Sequence, residues 1–155
     1  MNTILAGVYD RMVEHLKNGT TDMADDILNV PVENFTSAEH LQKELDVFRR
    51  MPLVAAMSSE LPEAGSFVTR DILGASILIV RQKDGGVAAF RNMCRHRGGK
   101  VELAESGKKP FFVCAYHGWS YDGAGALRGV PYEDHLGDID KGCNSLIRLR
   151  SEERH

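Results

Sequence analysis

Two short segments, Cys94-Arg95-His96 and Cys114-Ala115-Tyr116-His117, each place one sulfur and one imidazole in a C-x-H-x17-C-x-x-H pattern. A chain that must bring these four side chains to one point has few folds open to it. Each segment follows a run suited to a β-strand, Val87 to Phe90 before the first and Pro110 to Val113 before the second, so rigid scaffold can present two loops side by side. The surrounding sequence has the same character. From Phe67 onward, short apolar runs rich in β-branched residues are punctuated by glycine. Ile77-Leu78-Ile79-Val80 and Val87-Ala88-Ala89-Phe90 flank Lys83-Asp84-Gly85-Gly86, which predicts a hairpin. Trp119 to Asp122, then Gly123-Ala124-Gly125, then Ala126 to Arg128 predict another, and alternation over Ser145 to Arg150 predicts a last strand.

The first third reads differently. Ile4, Leu5, Val8, Met12 and Leu16 recur at helical spacing until Asn18-Gly19, a pair suited to a left-handed stop. Thr36-Ser37-Ala38-Glu39 has capping-box spacing, and Leu41, Leu45 and Phe48 then share a face before Met51-Pro52, predicting a second helix of about three turns. His15 and His40 are read as solvated helix residues. The expected fold class is therefore mainly β, an antiparallel β domain over residues 61–155 with an N-terminal helical extension over 1–60. At 155 residues one main core is expected. A net charge of −3 offers no basic field for nucleic acid. The leading segment is interrupted at Asp10-Arg11 before a secretory or membrane-spanning run can form, so no membrane association and a cytoplasmic location are expected. Three cysteines at irregular spacing predict thiols or ligands rather than a disulfide.

The mixture of ligand types carries the chemistry. A [2Fe-2S] core with two ferric ions has two positive charges, which two thiolates and two neutral imidazoles balance to zero. Four thiolates would leave it negative, and an electron enters a neutral centre more easily, which is why histidine ligation raises the potential to about −150 to +300 mV. The expected sorting puts Cys94 and Cys114 on a buried iron and His96 and His117 on an outer one. A Cys2His2 zinc site is the alternative, since zinc accepts the same ligands. Zinc motifs, however, usually pair like with like at gaps of about two to four residues, whereas each loop here mixes types.

Cys94-Arg95-His96-Arg97-Gly98 with Cys114-Ala115-Tyr116-His117-Gly118-Trp119 resembles the Rieske domain of ring-hydroxylating oxygenase large subunits. Glu60-Leu61-Pro62-Glu63-Ala64-Gly65, Arg81, Asp84-Gly85, Ala89-Phe90-Arg91-Asn92 and Val130-Pro131 extend the likeness, from roughly Val30 to the C-terminus. The resemblance implies a Rieske-type antiparallel β domain near the start of a longer oxidoreductase subunit, whose second domain binds mononuclear iron through two histidines and a carboxylate. It implies an electron donor, a reductase or ferredoxin, and assembly as a homotrimer or hetero-oligomer. The electron then leaves for the catalytic domain of a neighbouring subunit. No such catalytic triad is legible among His15, His40, His135 and His155, so the chain reads as a truncated portion that transfers electrons without activating oxygen, and its substrate is not readable. A stand-alone Rieske ferredoxin is the second reading, disfavoured by the helical segment Met1 to Arg50 and by the oxygenase-like loops.

Around the ligands, Arg95 and Arg97 suit either stabilisation of the reduced cluster and docking of an acidic surface, or plain solvated ion pairs. Gly98, Gly99 and Gly118 suit unusual backbone angles. Trp119 suits a shield, a subunit contact or simple core. Tyr116, Ser120 and Tyr121 are candidate hydrogen-bond donors to sulfur, and Cys143 is read as an inert thiol. Respiratory-type Rieske proteins carry a further cysteine beside each loop; none stands beside Gly99 or Ala115, and a potential near −150 mV is expected.

Overall fold

The structure, a computed structural model, describes Thr3 to Arg154; Met1 and Asn2 of the leading segment and the terminal His155 lie outside the described residues. The chain forms two compact units, one ending at Glu44 and the other starting at Leu45.

In the first unit, the apolar repeat forms α1 (Thr3–Asn18), which ends where Gly19 takes φ +61°. Its apolar residues stay exposed. His15 is tied down more firmly than a solvated helix residue: its ring bonds Thr20 Oγ1 and Asp22 Oδ1, each at 3.0 Å. These bonds from His15, with a 2.6 Å contact from Arg11, hold the Asp22 carboxyl below the usual carboxylate range. A single turn, α2 (Glu33–Thr36), precedes α3 (Ala38–Phe48), which fulfils the second predicted helix and runs through the division between the units. The cap is Ser37, whose Oγ accepts the His40 N–H at 3.3 Å, one residue after the Thr36 that the spacing suggested. His40 stands at the third helical position and cannot return the bond a glutamate would, so Glu39 pairs with Lys43 at 2.8 Å instead.

The second unit is built from antiparallel strands. β1 (Ser66–Ile72), β2 (Ala75–Arg81), β3 (Val87–Arg91), β4 (Ser106–Lys108) and β8 (Arg148–Leu149) form one sheet in the order β4-β1-β2-β3-β8. β5 (Phe111–Val113), β6 (Ser120–Asp122) and β7 (Leu127–Gly129) form a second. The first predicted hairpin is β2–β3, in register Leu78 opposite Phe90, and the second is β6–β7. The last predicted strand shrinks to Arg148–Leu149, because Leu146 turns into the core ahead of it and only those two residues pair in register with β3. Strand periodicity divides the apolar residues between two faces. Leu78, Val80, Ala88 and Phe90 face the main core with Phe112, Tyr121, Leu127 and both Cys94 and Cys114. Ile79 and Ala89 face the other side, against Leu61 and Val68. Phe67 on β1 meets Phe112 on β5 edge-on at 5.3 Å, which joins the sheets.

Two polar groups fix the frame. The Arg81 guanidinium donates to both Glu153 carboxylate oxygens (2.6 and 2.9 Å), to the Leu61 carbonyl (2.8 Å) and to the Gly85 carbonyl (2.8 Å), gathering three separated stretches of chain. Asn92, buried just before the first loop, accepts the Val101 and Glu102 N–H groups through Oδ1 at 3.0 and 2.9 Å and donates to the Glu102 carbonyl at 2.7 Å. The Glu102 carboxylate is buried as well. Burial works to raise it, but Lys109 at 2.6 Å and the Leu103 and Ala104 N–H groups bring it below the usual range. Among the described residues no helix is long and apolar enough to cross a membrane.

Candidate metal centre

The first ligand-bearing loop leaves β3 of the larger sheet, and the second joins β5 to β6 of the smaller one. Both close by the same backbone bonds. In the first, Cys94 N–H donates to the Gly99 carbonyl (2.7 Å) and Gly98 N–H to the Cys94 carbonyl (3.0 Å). In the second, Cys114 N–H donates to the Trp119 carbonyl and Gly118 N–H to the Cys114 carbonyl, both at 2.9 Å. Each glycine four residues after the cysteine takes a positive φ, +76° at Gly98 and +74° at Gly118. A Cβ at Gly118 would also lie 2.9 Å from Pro131 Cγ, so the Val130-Pro131 stretch closes over this loop. Gly99 lacks the unusual angle expected of it; its role is proximity, since a Cβ there would sit 3.5 Å from Cys114 Sγ.

The four candidate ligands lie at two depths. Cys94 and Cys114 are each 3% exposed, as reduced thiols, while His96 is exposed and His117 half-buried. The imidazole rings meet edge-on at 4.6 Å. Partial removal from water, together with the nearby His96 and Arg97, holds the His117 imidazole below its ordinary pKa and so in the neutral form that ligates metal. Among the described residues, no three histidine, cysteine or carboxylate side chains gather as a shell for one metal ion. Two buried thiols with two imidazoles at shallower depth are a donor set that fits a [2Fe-2S] group, which asks for two donors on each iron.

Tyr121 on β6 sits behind the thiols. Its hydroxyl accepts the Arg95 N–H at 3.0 Å and lies 3.3 Å from Cys94 Sγ. Burial, then contact with Cys94, pushes its pKa well above that of an ordinary tyrosine, so it keeps its proton to donate to a thiolate. Of the three candidate donors only Tyr121 reaches sulfur. Ser120 Oγ turns to the Gly129 carbonyl, and Tyr116 packs against His117 with ring centroids 3.8 Å apart and the planes tilted by 32°. Trp119 is core and shield at once, 6% exposed and lying flat against His96 at 4.9 Å. Neither Arg95 nor Arg97 pairs with a carboxylate among the described residues; Arg97 lies over the Tyr116 ring. Cys143 is exposed and apart, its thiol pushed up by Asp140, and His135 stacks loosely on Tyr132. Sequence reasoning missed Asn92 as the anchor of the first loop, although it stands two residues before Cys94. It also missed the equal offset of Gly98 and Gly118 from their cysteines.

Residues 51–140 match the family model described as the Rieske [2Fe-2S] domain. The chain is 40% identical over 111 residues to the large oxygenase component of a naphthalene 1,2-dioxygenase system from Pseudomonas aeruginosa, a match covering 70% of this chain and 25% of that protein. It is also 40% identical over 120 residues to the alpha subunit of benzene 1,2-dioxygenase from Pseudomonas putida, covering 76% and 27%. Among solved structures, a quaternary ammonium Rieske monooxygenase in complex with L-carnitine aligns with a TM-score of 0.72 at 34% identity, covering 79% of this chain and 35% of that one. The chain thus spans about a quarter of the length of these curated relatives, and what it shares with them is the Rieske part of a longer oxidoreductase subunit. On that match, and on the two cysteine–histidine loops it encloses, the chain belongs to the Rieske [2Fe-2S] domain family.

Proposed function

We propose that Cys94 and Cys114 hold the inner iron of a [2Fe-2S] cluster and His96 and His117 the outer one. In the longer subunit this domain, spanning residues 61–155 behind a helical extension, would carry electrons from a reductase or ferredoxin to a mononuclear non-haem iron. The observation that carries this reading is the pair of identically closed loops, which set two thiols inside and two imidazoles at the surface. When bound, the cluster takes up and releases one electron at a time. The protein's own part is to shape where that happens. Cys94 and Cys114 keep the inner side dry, Trp119 and Tyr116 hold the imidazole planes, and His96 offers an exposed edge to a partner. The acceptor iron belongs to the catalytic part of the longer subunit, in a neighbouring copy of a trimer or hetero-oligomer, in a reducing cytoplasm that spares the thiols. Large-subunit relatives support this reading over a stand-alone carrier. Their names, with that of the L-carnitine-bound monooxygenase, pair one Rieske architecture with chemically different compounds, so the substrate is set outside this domain.

Purified aerobically, the protein is expected to be red-brown. On reduction it should give an electron paramagnetic resonance signal whose average g lies below that of all-cysteine clusters. A colourless protein carrying one zinc would sink the assignment. Tyr121→Phe removes a charge-assisted hydrogen bond to the thiolate that strengthens as the cluster gains an electron; a reduced-over-oxidised difference of about 1 kcal/mol corresponds, for one electron, to a fall in potential on the order of 40 mV. A potentiometric titration that finds no fall would remove Tyr121 from the tuning of the site.

A further inference from the structure

We propose that Arg97 and Tyr116 form a noncovalent clasp between the two loops that holds the histidine pair in place, which makes both of them positioning residues. The proposal rests on the reading of His96 and His117 as ligands. Its basis is an unbroken run of contacts. Arg97 Cζ lies 5.4 Å from the centre of the Tyr116 ring, Tyr116 covers His117 at 3.8 Å, His117 meets His96 at 4.6 Å, and His96 lies on Trp119 at 4.9 Å with the planes 9° apart. Arg97 and His96 belong to the first loop; Tyr116, His117 and Trp119 belong to the second. All links but Tyr116 to His117 therefore cross between loops.

The two ends of the run differ. Trp119 is fixed by core packing, whereas Tyr116 is 61% exposed and its hydroxyl has no hydrogen bond among the described residues. The outer ring is held by its tilted packing on His117 and by the cation above it, which lies within the roughly 6 Å at which a guanidinium is drawn to a ring face. Among the described residues no carboxylate pairs with Arg97 to draw it elsewhere. Nor do the loops share a covalent tie: Cys94 and Cys114 are free thiols, and Cys143 is occupied with Asp140 away from both.

A double-mutant cycle on the loaded 155-residue chain separates a clasp from a simple charge effect. The rate at which an iron chelator bleaches the visible absorbance is measured for Arg97→Gln, Tyr116→Leu, the double variant and Arg97→Lys. Each of the first two is expected to bleach about threefold faster or more, the double variant no faster than the faster single, and Arg97→Lys closer to wild type because it keeps a cation over the ring. Rates that multiply in the double variant, or wild-type rates in both singles, would overturn the clasp. So would a potential shift in Arg97→Gln that persists in full beside Tyr116→Leu with bleaching unchanged, since that is charge alone. The cluster-free chain gives a second reading by nuclear magnetic resonance. His117 ring protons shielded by Tyr116 should move toward ordinary positions in both single variants, and unmoved signals in Arg97→Gln would also overturn it. A wild-type chain that takes up no cluster would sink the ligand assignment, whereas loading with equal rates throughout would sink the clasp alone.

Discussion

Replacing His117 by cysteine is expected to lower the reduction potential of the loaded protein by on the order of 100 mV or more, provided the cluster still assembles. The substitution exchanges a neutral ligand for a thiolate and adds a negative charge at a half-buried position. An electron entering the altered centre meets that charge. Titration followed by electron paramagnetic resonance reads the change directly, and His135→Cys serves as the control on an exposed histidine that stacks on Tyr132. An unchanged potential in His117→Cys would mean that this residue does not ligate.

Asn92→Ala should cost at least about 3 kcal/mol of stability, because it leaves the Val101 and Glu102 N–H groups and the Glu102 carbonyl without partners in the interior. Asn92 is 2% exposed, so water has little access to replace what is lost. The damage should spread to the site, since this side chain ties the start of the first loop to the segment that follows it. Urea unfolding of the variant measures the loss. A change below about 1 kcal/mol would show that the neighbouring backbone relaxes to satisfy itself, and that Asn92 is not the anchor described above.

The candidate ligands were legible as candidates because their types and spacing are chemical requirements, independent of the fold. α1, α3 and the two glycine-turn hairpins were legible because periodicity and stop signals lie within a few residues of each other. β4 was not: Ser106-Gly107-Lys108 has no strand propensity, and it pairs with β1 because the chain emerging from the first loop passes there. Gly107 suits that place for a reason invisible in one dimension, as a Cβ would press to 2.9 Å from the Phe67 ring. Ser120 and Tyr121 are adjacent on one strand, so their side chains point to opposite faces and only one reaches the sulfur. Which one depends on how the smaller sheet stacks on the larger, and sequence does not state that. Asn92 was hidden for the same reason, since its partners lie nine and ten residues away across a turn with no pattern of its own.

The matched closure of the two loops has a consequence for how such a site tolerates change. In each, the two backbone bonds that close the loop join the cysteine to the glycine four residues on and to the residue after it. The three positions between are an insert, Arg95-His96-Arg97 in one and Ala115-Tyr116-His117 in the other. The histidine stands in the middle of the first insert and at the end of the second. Scaffold and chemistry are thus written in separate letters, and an insert can be rewritten, as a designer would exchange a cartridge, while the frame that receives it stays as it is.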